Sequence, residues 1–222
     1  MKKLLFAAAL AVPLVATSAQ AVVVSGQIDW LSGQPVGEVM NWSGDIASTV
    51  DHIYFSVNTA GTISMDVLSW EGDGVDVNGD GESAFFDPYI YLFADDGSLD
   101  VGDVITDNDD SGSTYGDGST SSLDSYLSLG LGTGDYMLAI GEFYISAADA
   151  VAGLNPGTGD GYGPLSHDGS LFYVADHGDY EVTFGGDITL RDPPPTVPEP
   201  STALLLGLGM LGAGLIRRKR RS

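Results

Sequence analysis

The chain has 222 residues, no cysteine, and 31 acidic residues against 8 lysines and arginines. All the acidic residues fall between Asp29 and Glu199, where Arg191 is the one lysine or arginine, so this stretch carries one positive and 31 negative formal charges, a net of −30. Such a charge excludes nucleic acid as a partner, because nothing would offset phosphate repulsion. The lack of cysteine excludes disulfides as the means of stabilising an exported domain.

Residues 1–21 predict a removable export signal. Two lysines give a positive start, residues 4–15 form an apolar run, and residues 19–21 supply small side chains at the expected cut positions. We therefore expect cleavage before Val22. The alternative, an anchor helix that stays uncut, is disfavoured because the run is short and Pro13 interrupts it.

The segment 22–190 predicts one acidic, all-β domain. Apolar residues alternate with polar ones or form short apolar runs, and clusters of Gly, Asp, Ser and Asn separate them. This is the pattern of a sandwich or barrel. The predicted strand stretches are 53–57, 63–67, 89–93, 136–140 and 180–184. One short helix is expected over 146–154, followed by a long surface loop over 155–168.

An acidic loop inside this domain has the residue spacing of a calcium-binding loop. Oxygen side chains stand at the first, third, fifth and twelfth positions, and a glycine stands at the sixth. Calcium takes six to eight oxygen ligands, and the glycine permits the sharp turn. The predicted ligands are Asp76, Asn78, Asp80 and Asp87, with Glu82 at position seven contributing its backbone carbonyl. The flanks predict strands, so we expect a loop between strands. The alternative is a solvated acidic turn.

A second acidic turn, residues 107–112, offers Asp107 and Asp109 as further metal ligands. It lacks a carboxylate at the twelfth position, where Gly118 stands. A plain turn is an equally good interpretation. Carboxylates so close in sequence repel one another unless a cation lies among them.

The C-terminal end predicts a sorting tail. Residues 191–200 are a Pro-rich linker, which is stiff and extended, and residues 201–222 contain an apolar stretch followed by cations. An apolar helix with a basic end is typical of a membrane segment whose basic end stays in the cytoplasm. The cations are Arg217, Arg218, Lys219, Arg220 and Arg221. The apolar stretch 203–216 is short for a hydrocarbon core, which favours a temporary span.

The tail resembles the PEP-CTERM sorting signal of Gram-negative bacteria. The matching elements are Pro198, Glu199 and Pro200, then the Gly/Leu-rich helix and the basic cluster. The resemblance implies that an exosortase-type enzyme recognises the tripeptide and removes the tail. It also implies transient anchoring in the inner membrane, then release to the cell surface or an extracellular polysaccharide matrix. The alternative is an ordinary C-terminal anchor behind a Pro-rich linker.

The domain resembles the bacterial pre-peptidase C-terminal domain, a calcium-associated, jelly-roll-like β-sandwich. That resemblance implies an accessory module that is not catalytic. The acidic insert after Trp70 and the long loop after Gly141 depart from the family pattern. The resemblance is carried by residues 51–57, 60–63, 87–93, 95–97, 108–112, 123–127 and 134–141.

Catalysis finds little support in the sequence. The three histidines, His52, His167 and His177, are scattered, no histidine pair has zinc spacing, and the domain has no Gly-x-Ser-x-Gly elbow. A carboxylate pair for glycoside hydrolysis would need an acid whose pKa is raised by apolar burial, and nearly all the aspartates fall in hydrophilic loops.

The leading hypothesis is therefore a non-catalytic, calcium-stabilised surface or matrix protein. The second is a carbohydrate-binding module with Trp30, Trp42 or Trp70 exposed on one face as a stacking surface. The third is a secreted hydrolase with a buried carboxylate at the floor of a cleft.

Overall fold

The computed structural model describes most of the acidic segment of the chain. The chain divides into two compact units, Met1–Arg191 and Asp192–Ser222. All but the last two described residues belong to the first unit. The described residues are 21–31, 47–69, 76–79, 87–111, 121–143, 145–156, 165–167, 172–174 and 177–193.

The regular secondary structure in the described part of the chain is almost entirely β-strand. Its helical elements are a 3₁₀ turn, Val101–Asp103, and one short helix, α1 (Ala147–Ala152). In chain order the strands are β1 (Val22–Asp29), β2 (Ser48–Thr49), β3 (Asp51–Val57), β4 (Gly61–Leu68), β5 (Pro88–Ala94), β6 (Val104–Asn108), β7 (Tyr126–Leu131), β8 (Gly134–Glu142), β9 (Leu154–Asn155), β10 (Leu165–His167), β11 (Phe172–Val174), β12 (His177–Gly185) and β13 (Ile188–Leu190).

The longer strands form two antiparallel sheets. The first sheet has the order β1-β12-β4-β7, and the second has the order β13-β3-β8-β5-β6. Two short pairs, β2 with β9 and β10 with β11, form separate two-stranded sheets.

The two sheets pack face to face over a hydrophobic core. Alternate residues of each strand point into it, as the sequence periodicity requires. Phe55 of β3 and Phe184 of β12 lie in opposite sheets with ring centroids 5.2 Å apart, and both are fully buried. Met65 of the first sheet and Leu138 of the second belong to the same cluster. The all-β sandwich prediction is confirmed at this level, and its jelly-roll-like topology stays a prediction.

The outer face of the second sheet has a smaller core of its own, under α1. Phe93, Met137 and Ala139 pack there with Ile145 and Ala150. Strand β8 is consequently buried on both faces over six consecutive residues.

The helix α1 has a well-defined start and end. The Ser146 hydroxyl accepts from the Asp149 N–H, and the Asp149 carboxylate accepts from the Ser146 N–H, which is a capping box. Gly153 ends the helix at φ 69°. The predicted short helix is confirmed, and so are the five predicted strand stretches.

The sequence analysis missed eight of the thirteen described strands, β6, β7 and β13 among them. Strand β1 was not anticipated, and the predicted loop 155–168 contains β10, which pairs with β11. The apolar periodicity within one segment does not show which other segment it pairs with. Residues 1–20 of the predicted export signal and residues 194–222 of the predicted linker and sorting tail lie outside the described residues. Among the described residues, no helix is both long enough and apolar enough to cross a membrane.

Candidate metal centre

Three carboxylates meet where the hairpin of β5 and β6 opens. Asp87 directly precedes β5, and Asp109 and Asp110 directly follow β6. The two strands are antiparallel, with Ile90 opposite Asn108. The start of one strand therefore lies beside the end of the other, which brings the three aspartates together.

Their spacing fits a shared cation. Ligand oxygens of Asp87, Asp109 and Asp110 all lie within 4.8 Å of one another. Oxygens bound to one calcium at about 2.4 Å are at most about 4.8 Å apart. Burial decreases across the group: Asp87 is 3% exposed, Asp109 is half-buried, and Asp110 is exposed.

Two further buried carboxylates approach this group. Asp124 and Glu142 are 3% and 2% exposed. The Asp124 Oδ1 accepts from the Ser69 N–H at 3.1 Å and from the Ser69 hydroxyl at 2.9 Å. Glu142 is the last residue of β8 and pairs with Pro88 at the start of β5. Four strands of both sheets thus bring acidic residues to one end of the sandwich.

The electrostatics of the centre favour a proton or a cation. Burial, reinforced by the charges of Asp110, Asp109 and Asp124, raises the pKa of Asp87 to about 8. Burial and the neighbouring aspartates raise the pKa of Asp109 to about 6. Burial, with the charge of Asp87, raises the pKa of Glu142 well above its ordinary value. Like charges in a desolvated site disfavour ionisation unless a positive charge is present.

Buried oxygens without hydrogen-bond partners also favour a bound proton or cation at this centre. Within the described residues, Asp87 Oδ1, Asp109 Oδ1 and Glu142 Oε1 are buried and accept no hydrogen bond. An unsatisfied buried acceptor costs about 1–3 kcal/mol, and more when it is charged. A metal ion would satisfy such oxygens.

The Ser125 hydroxyl fixes the backbone around the centre. Its Oγ is buried and lies 2.5 Å from the Pro88 carbonyl oxygen, 3.2 Å from that of Asn108, and within hydrogen-bond distance of that of Asp109. The Asn108 Oδ1 also accepts from the Tyr126 N–H at 2.8 Å. Because one hydroxyl donates one proton, several carbonyl oxygens share this donor, and the site is rich in acceptors.

The predicted ligands fall into separate groups in the structure. Asp87 and Asp109 come together, although the sequence analysis assigned them to two different loops. Asp110 was missed. Asp110 comes just after β6, and β6 pairs with β5, which begins just after Asp87. This position in the hairpin is the signal that could have indicated Asp110. Asp107 lies in β6, where its Oδ2 accepts from the Tyr89 hydroxyl at 2.6 Å, and it is outside the group.

The other predicted calcium loop is only partly described. Asp76 Oδ1 accepts from the Gly79 N–H at 2.6 Å, and Gly79 adopts φ 79°, which forms a tight turn. Asn78 is exposed. Asp80 and Glu82 lie outside the described residues. A calcium site on this loop stays a prediction.

Two of the three histidines have structural partners in the part of the chain that the structure describes. His52 Nε2 donates to the Ala150 carbonyl oxygen at 2.6 Å, which ties β3 to α1. His177 Nε2 lies 3.3 Å from Asp179 Oδ2. His167 falls in β10.

Of the three tryptophans predicted as a stacking surface, the structure describes one. Trp30 is half-buried and packs against the main core. Trp42 and Trp70 lie outside the described residues.

Comparison with known proteins identifies the tail. The family described as the PEP-CTERM protein-sorting motif matches residues 196–221. The predicted sorting signal is therefore confirmed. The motif implies export and sorting to the cell surface through processing by an exosortase. A comparison with curated proteins found no match to the chain.

Among solved structures, the chain is similar to the pre-peptidase C-terminal domain of a collagenase from Bacillus anthracis. The sequences are 11% identical, the match covers 73% of this chain and 87% of that one, and the TM-score is 0.34. A likeness at this TM-score supports no conclusion about this chain, and the sandwich fold rests on the strands and the core described above.

Proposed function

We propose that this chain is a non-catalytic surface or extracellular-matrix protein, delivered and trimmed through an exosortase pathway and stabilised by calcium. The sorting motif at residues 196–221 is the observation that carries the proposal. A protein with this tail is anchored only until the tail is removed. The acidic sandwich is then the part that remains outside the cell.

The calcium part of the proposal rests on the centre formed by Asp87, Asp109 and Asp110. Carboxylate and carbonyl oxygens are hard ligands, which suit calcium, whereas zinc favours histidine and cysteine. Magnesium requires a tight octahedron and keeps its waters, so it suits a partly buried group of three aspartates less well. A bound divalent cation would also offset part of the domain's net negative charge.

The same carboxylates argue against a hydrolase. A buried acid with a raised pKa, such as Asp87, is a feature of general acid catalysts. Glycoside hydrolases, however, hold their two carboxyl groups about 5–5.5 Å apart or about 6.5–9.5 Å apart, with the sugar between them. Here the ligand oxygens of three aspartates lie within 4.8 Å of one another. That arrangement suits one shared cation better than a substrate held between two acids.

Mass spectrometry of the protein recovered from the surface of its host tests the sorting part. We expect a mature chain that starts at Val22 and ends close to Pro198, Glu199 and Pro200. Deleting the host's exosortase should leave the basic cluster 217–221 attached. Surface-recovered protein that still carries this cluster in the unmodified host would refute the proposal.

Thermal unfolding with and without calcium tests the metal part. Calcium at a hundredfold excess over its Kd stabilises a protein that binds it only when folded by about 2.7 kcal/mol, which for a domain of this size raises the Tm by on the order of 5 to 10 °C. Magnesium and sodium at matched ionic strength control for general screening of the negative charge. If calcium and matched salt raised the Tm equally, the calcium part of the proposal would be refuted.

A further inference from the structure

A buried carboxylate lies on the core side of the metal centre. Glu142 is 2% exposed, and its Oε1 is buried and accepts no hydrogen bond from the described residues. Glu142 shares one side of β8 with Leu138 and Ile140, because alternate residues of a strand point the same way. Leu138 and Ile140 belong to the main core. The Glu142 side chain therefore points between the two sheets, at the end of the core.

The pairing of β8 with β5 holds Glu142 beside Asp87. Glu142 is opposite Pro88, the residue that follows Asp87. The N–H of Phe143, the residue after Glu142, donates to the Asp87 carbonyl oxygen at 2.6 Å. After burial, the charge of Asp87 raises the pKa of Glu142, so the two carboxyl groups lie within electrostatic reach of each other. The unpartnered carboxylate thus adjoins the most buried of the three aspartates.

The three aspartates alone do not complete the coordination of calcium on this side. Calcium takes six to eight oxygens, and each carboxylate supplies one or two. Asp110 is exposed, so water reaches the ion from its side of the centre. Asp87 and Glu142 are both almost fully buried, so on the core side the protein has to supply the oxygen.

We propose that Glu142 binds the calcium ion from the core side and selects calcium over magnesium. This inference rests on the calcium site of the proposed function and adds a fourth carboxylate and a selectivity to it. The Glu142 oxygens are outside the group formed by Asp87, Asp109 and Asp110, so the side chain turns toward the ion when the ion binds. The three rotatable bonds of a glutamate side chain allow this movement without a shift of β8.

A fourth carboxylate distinguishes the two ions because they differ in size and coordination. Calcium accepts up to about eight oxygens at about 2.3–2.6 Å in a flexible arrangement. Magnesium requires an octahedron of six oxygens at about 2.0–2.1 Å and keeps several waters. The aspartates and water from the open side satisfy magnesium, whereas calcium gains from a further protein oxygen. Loss of Glu142 should therefore weaken calcium binding more than magnesium binding.

Calorimetric titration of the mature protein with calcium and with magnesium tests the inference. Glu142→Gln keeps the shape of the side chain and removes its charge. We expect this variant to bind calcium at least about tenfold more weakly and magnesium less than about threefold more weakly. Thermal unfolding in chelator checks the fold, and the Tm of the variant should be no lower than that of the wild type.

Asp51→Asn is the matched control. Asp51 is opposite Ile140, two residues from Glu142, so the variant removes a charge at the same end of the core. The Asp51 Oδ2 accepts from the Tyr180 hydroxyl at 2.8 Å, and an asparagine oxygen can accept the same bond. We expect the control to leave the affinities for calcium and magnesium unchanged.

Terbium emission shows whether Glu142 touches the ion. Terbium resembles calcium in size and in its preference for oxygen ligands, and its emission lifetimes in H₂O and D₂O give the number of bound waters. Glu142→Ala removes both oxygens and leaves room for water, so we expect about one additional bound water in this variant. Asp51→Asn should add none.

The outcomes separate this inference from the calcium site. Calcium binding that Glu142→Gln leaves unchanged, or an equal weakening of calcium and magnesium binding, would overturn the inference and leave the calcium site standing. An unchanged number of terbium-bound waters in Glu142→Ala would also overturn it, because Glu142 would then be a neighbour of the ion and not its ligand. Absence of calcium binding by the wild type would overturn the calcium site itself.

Discussion

Arg191 donates a hydrogen bond to the Asp95 carboxylate, with 2.7 Å between Nη1 and Oδ2. The Asp95 side chain is 4% exposed, and that of Arg191 is 31% exposed. A second carboxylate oxygen, Asp135 Oδ2, lies 3.3 Å from the same Nη1. The Arg191 N–H also donates to the Tyr54 carbonyl oxygen at 2.8 Å. Arg191, the one basic residue among the lysines and arginines of the acidic stretch, therefore connects the end of β13 to the turn that follows β5.

Replacing Arg191 with alanine should lower the free energy of unfolding by about 1–3 kcal/mol, because it leaves the buried Asp95 charge without its partner. Arg191→Lys keeps a cation and should lose less. Urea unfolding of the three proteins measures the difference. Equal losses in the two variants would show that the charge of Arg191 is not what stabilises this end of the sheet.

Replacing Gly26 with alanine should destabilise the first sheet. A Cβ at this position would lie 2.3 Å from the Tyr180 hydroxyl oxygen, and Tyr180 is 2% exposed. The ring would have to move, and its hydrogen bond to Asp51 Oδ2, 2.8 Å long, would break. We expect a loss of about 1–3 kcal/mol in urea unfolding. Ser25→Ala, on the exposed face of the same strand, should cost little, and similar losses in both variants would contradict this account.

In the absence of calcium, stability should fall as the pH rises through the neutral range. The folded state raises the pKa of Asp87 from 3.8 to about 8, so folding favours the protonated carboxyl. The resulting stabilisation is complete below about pH 4 and is lost as the pH approaches 8. We expect a lower Tm at about pH 8 than at about pH 5 in chelator.

The variant Asp87→Asn isolates this effect. In chelator it should flatten the pH dependence and be more stable than the wild type at about pH 8, because its side chain is always neutral. With saturating calcium the order should reverse, because the ion favours the carboxylate. Identical pH profiles of the two proteins in chelator would show that Asp87 does not control this titration.

Two double variants should distinguish the two acidic segments. Replacing Asp109 and Asp110 with asparagine should abolish the calcium-specific rise in Tm, because it removes two of the three charges of the described centre. Replacing Asp76 and Asp80 with asparagine should leave most of that rise in place. The opposite outcome in thermal unfolding would assign calcium to the loop with the spacing of a calcium-binding sequence and away from the hairpin of β5 and β6.

The sequence predicted five strands from the pattern within each segment, and it missed others, including β7, although Leu127, Leu129 and Leu131 alternate there. Residues 53–57 and 180–184 bury every second side chain, and that period is visible within a single segment. Strand β1 is different, because valine, serine, glycine and glutamine give it little contrast between its two faces. Its place in the sheet is set by β12, more than 100 residues away.

The sequence predicted that aspartates would bind a metal ion, but it did not predict which of them lie together in the folded chain. Asp87 was predicted as a metal ligand because it stands at the twelfth position of the calcium-loop spacing, and Asp109 because it lies in an acidic turn. Cation binding depends on neighbours in space, and those are fixed by the pairing of Ile90 with Asn108. Glu142 could not be anticipated, because a single acidic residue at the end of an apolar strand carries no local pattern.

The pairing of β1 with β12 constrains when the sandwich can be completed. Val22 pairs with Phe184, so the first described strand has its partner near the far end of the domain. A chain that crosses a membrane N-terminus first must deliver nearly all of this domain before its first strand can be incorporated. Contacts of such high sequence separation also form slowly, because the whole intervening loop must close first. For an exported chain, completion of the sandwich therefore falls late in translocation.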